Sequence, residues 1–498
     1  MADSADKEAQ GYTPLTKHPL YGRYSSDDMK NIFGERRKFE SWRTCWIALA
    51  EAERELGIDR ITPEHIAALR QFEHDVNYKR AEELERISRH DVMSHVQAYG
   101  EQVDQVCPGT SGIIHLGATS MYPCDNTELL QMRDGLDLII AKTINVFRKM
   151  ASFAGQYADT PCLARTHYQP AQPTTYGKRI CDWMYNFVLA LERIESEKEK
   201  LKGRGEKGTT GTQESFMKLF NGDTARVNGL DRLVCQKLGF AGSYAITTQT
   251  YPRVVDYYIL SAITGITIAA KKMTTDMRLL QGLGELSEPF GKKQIGSSAM
   301  AYKRNPMGAE RAGGLSRHEF TGPLEAAMYA SEQWLERSLD DSAERRIVIP
   351  DTFLGVDAVL NIILDTFSED TAKRSGFRVY EKRALRNLME EMPFMVTEEL
   401  LMYAVNAGGN RQKLHEAIRE DSMKARQSID DGGKNNLLEL LAECPEFGID
   451  LAKKKEILNP MNYLGSAQGQ CRRFIEDTIG PILNSHSDVP AMDGNVKV

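Results

Sequence analysis

Residues 294–306, Gln-Ile-Gly-Ser-Ser-Ala-Met-Ala-Tyr-Lys-Arg-Asn-Pro, pack more polar chemistry into an irregular run than any other part of the sequence. Gly296 with Ser297 and Ser298 favours a turn over a helix interior, and Lys303-Arg304 is a basic pair suited to an anionic ligand. Pro306 fits the first turn of a following helix. A polar surface connection is the other reading of the same composition. Similar polar stretches that break helix recur at Arg23-Tyr24, Arg89-His90-Asp91, Thr119-Ser120, Thr166-His167 and Gln249, around Asn305 and Arg311, and in the charged run holding Arg337, Ser342 and Arg346. A lone histidine such as His167 is as a rule structural. The set carries more weight, because each member lies at a helix break from which a shared cleft is reachable.

Several chemistries are excluded. His90 and His95 are five residues apart, off the four-residue step that puts two ligands on one helix face, and no cysteine cluster exists, so no metal is expected. Neither a G-x-S-x-G elbow nor a G-x-G-x-x-G fingerprint after a strand is present. The run Gly203-Arg-Gly-Glu-Lys-Gly-Thr-Thr-Gly-Thr212 lacks the Walker pattern; it reads either as a backbone approach to phosphate or as a plain helix connection. A net charge of −7 argues against a general nucleic-acid or membrane-surface binder, so any anionic ligand needs a local basic cluster. The eight cysteines are scattered without a C-x-x-C pair, as expected of reduced thiols in the cytosol. The polar, acidic first ten residues resemble no signal or transit peptide.

The elements that must position these residues are helices. Phe39, Trp42, Trp46, Leu49, Ala52 and Leu56 recur at helical spacing over 34–56, and Thr62-Pro63 opens a shorter helix. Helical patterns follow over 79–106, 125–157, 173–202 and 250–286. A further stretch over 306–339 is expected to bend at Gly322-Pro323, and an apolar helix resumes over 350–367. The apolar window 259–270 is too short to span a bilayer and reads as a buried helix. The helix over 250–286 is so long and apolar that it must bury itself in a bundle, within the chain or between subunits. No alternating strand pattern of useful length is apparent. Breaks divide the chain into a tail over 1–20, an N-terminal helical domain over 21–118, a central long-helix bundle over 119–372, a C-terminal helical domain over 373–485 and a tail over 486–498, both tails expected to be disordered.

The run Gly296-Ser-Ser-Ala-Met-Ala-Tyr-Lys-Arg-Asn-Pro306 closely resembles the signature G-S-S-x-M-P-x-K-x-N-P of the fumarase/aspartase superfamily. Arg89-His-Asp-Val-Met-Ser-His95, Gly117-Ala-Thr-Ser120, Thr166-His-Tyr-Gln-Pro-Ala-Gln172, Lys207-Gly-Thr-Thr-Gly-Thr-Gln213 and Trp334-Leu-Glu-Arg-Ser-Leu-Asp-Asp-Ser-Ala-Glu-Arg-Arg346 resemble its adenylosuccinate-cleaving branch, of the kind found in animals. The likeness covers about residues 21 to 483.

That resemblance implies an all-α fold in which the long central helices associate as a homotetramer, each active site drawing on three chains. It implies β-elimination of fumarate from adenylosuccinate, leaving AMP, and from the succinylated carboxamide ribotide of purine synthesis, with no cofactor. By similarity Ser297 is the base and His167 the acid, while Lys303 and the loop's N–H groups stabilise the developing carboxylate charge. Arg23, Tyr24, Arg89, His90, Asp91, Thr119, Ser120, Thr166, Gln249, Asn305, Arg311, Arg337, Ser342 and Arg346 match positions that bind the substrate. The run around Arg337 and Arg346 also admits simple surface pairing with Asp340, Asp341 and Glu344. On this view residues 294–306 form a mobile lid. The signature's proline is Ala301 here, which widens the loop's open ensemble without touching a group that carries protons. The alternatives are another fumarate-releasing lyase, acting on argininosuccinate or malate, and a non-catalytic structural relative. The presence of His167, Ser297 and Lys303 counts against the latter.

Overall fold

The structure, a computed structural model, describes residues 18–494. The disorder expected of residues 1–17 and 495–498 lies outside the described residues. Helix α1 (Glu35–Glu55) buries Trp42, Trp46, Leu49 and Ala52, the face its spacing predicts. Thr62 caps the short helix that follows by accepting from His65 N. Helices α2 (Tyr78–Ser88) and α3 (Asp91–Val103) complete the N-terminal region.

The core is a bundle of long helices: α4 (Met121–Gln156), α5 (Tyr176–Lys200), α6 (Val254–Gly282), α7 (Met307–His318), α8 (Gly322–Ser331) and α9 (Asp341–Thr366). Pairings at their ends fix their directions. Arg253 just before α6 meets Asp341 at the start of α9, and a buried Lys142–Asp357 ion pair ties α4 to α9, so these three helices run parallel. Trp183 near the start of α5 donates to Asp276 near the end of α6, so α5 runs the other way. Tyr329 at the end of α8 donates to Asp256 at the start of α6, which makes the α7–α8 arm antiparallel to α6 as well. By length and composition α6 and α9 could each cross a bilayer, but both lie in this bundle, and α9 is largely buried from Val348 onward.

Three expectations are corrected. The break before α5 is an antiparallel hairpin, β1 (Pro161–Thr166) with β2 (Gln169–Thr175), and α5 starts at Tyr176, not Pro173. Two prolines in β2 hid it, although in a two-stranded ribbon proline can face the open edge. The helix over 306–339 is two helices separated at 319–321, and residues 332–340 are not helical. Within the expected C-terminal tail, residues 486–494 lie against α4. Arg148 donates to Val489 O (2.9 Å), Asn145 donates to Pro490 O (3.0 Å) and Lys149 pairs with Asp493 (2.6 Å).

The C-terminal helices Glu381–Met395, Thr397–Asn406 and Arg411–Asp430 share a core of Leu388, Met392, Leu400 and Leu414. Two short ladders join this region to the end of α6, pairing Leu286 with Val379 and Phe290 with Ser375. The glycine-rich run at 203–212 is a connection whose first half, 203–208, threads through the interior and whose second half emerges at the surface. Gly205 adopts φ +70°, and a side chain there would strike Asp231.

Candidate active site

The bundle has two polar ends. Helix α6, 29 residues long, separates them by about 43 Å at 1.5 Å per residue.

At the end where α4, α6 and α9 begin, Thr119 O accepts from Tyr122 N (2.8 Å) and Ser120 immediately precedes α4. Arg337 Nη1 donates to Asp341 Oδ1 (2.8 Å), and its Nη2 lies 3.9 Å from Met121 Sδ. Gln249 N donates to Glu336 O (3.3 Å) on the same segment. Ser342 lies in the first turn of α9, and Arg346, one turn on, pairs with Asp91 (3.3 Å). His90 caps α3 by accepting from Met93 N (3.4 Å), and Arg89 closes α2 at φ +51°. Nine of the predicted residues are therefore gathered here: Arg89, His90, Asp91, Thr119, Ser120, Gln249, Arg337, Ser342 and Arg346. A cleft of about 300 Å³ beside them is lined by Lys38, Glu128, Arg345 and Arg346. The pairing of Arg337 is not a surface event, since Asp341 is fully buried. His95, in the same motif as His90, is a core residue stacked on Phe39, and burial holds its imidazole down to about 4.

At the opposite end stand the groups assigned to proton transfer. Thr166 pairs with Gln169, leaving His167 and Tyr168 as a two-residue turn with φ +51° and +61°. Turns of this kind normally take Asn-Gly, because a side chain in the left-handed region costs about 1–2 kcal/mol. Two such residues at an exposed tip that carries the candidate acid are strain of the kind that collects at functional sites.

The 294–306 loop closes on itself. Asn305 Nδ2 donates to Gly296 O (2.9 Å), and Gln281 on α6 donates to Arg304 O (3.1 Å). Within it Ser297 Oγ accepts from Ala299 N (3.3 Å) and Met300 N (3.1 Å), and Lys303 is exposed. Pro306 precedes α7 and does not enter it. A cleft of about 360 Å³ at the base of the loop is lined by Glu288, Arg304, Asn305, Gly308, Arg311 and Arg374. Burial pushes the Glu288 carboxyl up, against the pull of the Ala309 and Gly308 N–H groups it accepts from at the start of α7.

Arg23 and Tyr24 stand away from the arginine-rich end, beside the second half of α9, whose Ile362 and Asp365 line the cleft at the base of the loop. Asn361 of that helix donates to Tyr24 O (3.2 Å), and Arg23 is exposed. Sequence reasoning missed Arg253, Asp125 and Glu288, all nearly or wholly buried. Nothing in their local sequence separates a buried charge from a solvated one. Among the described residues no group of three or more His, Cys, Asp or Glu side chains is set to hold a metal ion.

The "Lyase" family model matches residues 22–318, and "Adenylosuccinate lyase C-terminus" matches residues 393–474. Adenylosuccinate lyase of Saccharomyces cerevisiae is 42% identical over 468 residues, 93% of this chain and 95% of that one. The enzyme of the same name from Schistosoma mansoni is 41% identical, with 97% and 98% covered. Among solved structures, a fumarate lyase from Mesorhizobium sp. BNC1 superposes with a TM-score of 0.76 at 22% identity, covering 93% of this chain and all of that one, which shows a shared fold.

Proposed function

Because the chain belongs to the adenylosuccinate lyase family, we propose that it works at active sites shared between the subunits of a homotetramer. It is a C–N lyase that releases fumarate from adenylosuccinate and leaves AMP. What carries this reading is near-full-length identity to relatives that share one activity. The succinylated carboxamide ribotide, which presents the same succinyl group on nitrogen, is its second substrate.

The elimination needs a base for the proton on the carbon beside a carboxylate and an acid for the departing nitrogen. Ser297 is the base. Two N–H groups already point at its Oγ, and donors of this kind favour the ionised form of the group that accepts them. His167, presented on its hairpin, protonates the leaving nitrogen. Lys303 offsets the charge that builds on the carboxylate. The arginines at the other end of the bundle, Arg89, Arg337 and Arg346, hold the substrate's anionic groups, joined by Arg23 and Arg311, with Thr166 and Asn305 on the loop side.

Support for the assembly comes from distance. In one chain the proton-transfer groups and the arginine-rich end lie about 43 Å apart, farther than a nucleotide substrate reaches. Subunits running antiparallel bring opposite ends together. The surface of α6 fits such packing, because Val254, Tyr258, Ser261, Ile268, Lys272 and Leu279 form an exposed, largely apolar stripe at three-, four- and seven-residue steps. All eight cysteines are free, consistent with the cytoplasm.

The test is the loss of adenylosuccinate absorbance, with fumarate measured as product. Ser297→Ala and His167→Ala should each keep nucleotide binding and lose turnover by about 10²-fold or more. Near-normal turnover in either variant removes that residue from its role.

A further inference from the structure

Behind Arg337 runs a line of buried charges that alternate in sign. Arg337 Nη1 donates to Asp341 Oδ1 at 2.8 Å, and the other oxygen of Asp341 accepts from Arg253 Nε at 2.8 Å. Arg253 Nη2 donates to Asp125 Oδ1 at 3.0 Å, and Asp125 Oδ2 accepts from Tyr251 N at 2.9 Å. Side-chain exposure falls from 15% at Arg337 to 0% at Asp341, 1% at Arg253 and 0% at Asp125.

The segment that carries Arg337 needs such an anchor. Trp334, Leu335 and Leu339 beside it are 74%, 92% and 74% exposed, and Leu335 adopts φ +45°. The residues behind Arg337 instead belong to the starts of long helices: Asp125 to α4, Arg253 to α6 and Asp341 to α9. Helix N-termini favour nearby carboxylates, which suits both acids to their places in the line. Buried ion pairs add little net stability over apolar packing of the same volume. A line of four that ends on a partly exposed guanidinium is better explained by orientation.

We propose that Asp341, backed by Arg253, is a positioning residue that presets the Arg337 guanidinium for an anionic group of the substrate. The proposal rests on the reading of Arg337 as a substrate-binding residue.

Steady-state kinetics with adenylosuccinate test it. Arg337→Ala should lower kcat/KM at least tenfold, mainly through KM. Asp341→Asn keeps the shape but removes the charge; it should lower kcat/KM about tenfold, as loss of one charge-assisted hydrogen bond does, with kcat within threefold of wild type. In the Arg337→Ala background, Asp341→Asn should change kcat/KM by less than twofold or improve it. Unchanged kcat/KM in Arg337→Ala overturns the reading of Arg337 itself. An impaired Arg337→Ala beside a normal Asp341→Asn, or losses that multiply in the double variant, overturns the positioning role and leaves Arg337 in the site. Should Asp341→Asn fail to fold, Arg253→Lys keeps the charge pattern and shortens the fork. A severalfold rise in KM that disappears in the Arg337→Ala background supports the proposal, and an unchanged KM overturns it.

Discussion

Gly296→Ala is the sharpest probe of how the Ser297 loop works, because the structure says where the added methyl must go. Its carbon would overlap the Lys303 carbonyl oxygen and stand 3.2 Å from the Lys303 carbonyl carbon and 3.3 Å from Arg304 Cα. Ordinary carbon contacts begin near 3.5 Å, and clearing the oxygen takes more, so the two strands of the loop neck must part by about 1 Å. The Asn305–Gly296 bond at 2.9 Å spans that neck and cannot survive the separation unchanged. Ser297, the next residue, moves with it. Misplacing a reacting group by 1 Å costs about 10²-fold in rate, so kcat should fall about 100-fold. Global stability should change by less than about 0.5 kcal/mol, because residues 298–304 are exposed and outside the core. The assay is adenylosuccinate absorbance at saturating substrate, with a thermal melt to check folding. Gly155→Ala is the control: nothing lies within 4 Å of a methyl placed there, and the site is in the last turn of α4, far along the chain from the loop. Its activity should be unchanged. A folded Gly296→Ala variant with kcat within threefold of wild type would refute the claim that the closed neck sets Ser297.

Other predictions follow from the surface, the loop and the interior. Ile268→Asp puts a charge in the middle of the exposed α6 stripe, where Ile268 is 59% exposed; sedimentation should show species smaller than a tetramer together with lost turnover, and an intact, active tetramer contradicts the assembly. Ala301→Pro should narrow the loop's open ensemble, slowing its cleavage in limited proteolysis while kcat stays within threefold. Glu206 is fully buried, and burial pushes its carboxyl up to about 7, an effect only partly offset by Arg204. A raised carboxyl contributes its full stability below the ordinary value near 4.5 and loses it as pH rises through 7, about 3 kcal/mol in all. Urea unfolding at pH 5 and pH 8.5 should show that loss in wild type and a flatter response in Glu206→Gln; equal slopes refute it.

Much of the fold was legible because its signals are local and repeated. The helical spacing of Trp42, Trp46 and Leu49 reports α1, and the unbroken apolar run reports α6. The hairpin was not legible, since Pro170 and Pro173 argue against a strand and His167-Tyr168 lacks the glycine a tight turn normally takes. The departure is itself informative: two left-handed side chains in one tight turn are strain of the kind that collects at functional sites. Candidate site residues could be picked out by type and motif, but their division between two ends of the bundle could not, because it depends on helix directions set by distant pairs such as Arg253–Asp341 and Trp183–Asp276.

That division separates two kinds of positioning. At one end Arg337 is tied through Asp341 and Arg253 to helix starts, and Arg346 is itself on α9 and paired with Asp91, so the groups proposed to bind anions are carried by the bundle itself. At the other, His167 and Ser297 sit on exposed turns that few contacts constrain, one in left-handed backbone and one on a loop closed by a single side-chain bond across its neck. If antiparallel subunits join opposite ends, every active site pairs a rigid binding half with a pliable catalytic half from other chains. Substrate can then dock on the fixed arginines before the proton-transfer groups close over it, which is the order that keeps water away from the charged intermediate. It follows that substitutions on the Arg337 side should register chiefly in KM and those in the 294–306 loop chiefly in kcat, a split that an active site formed within one chain does not require.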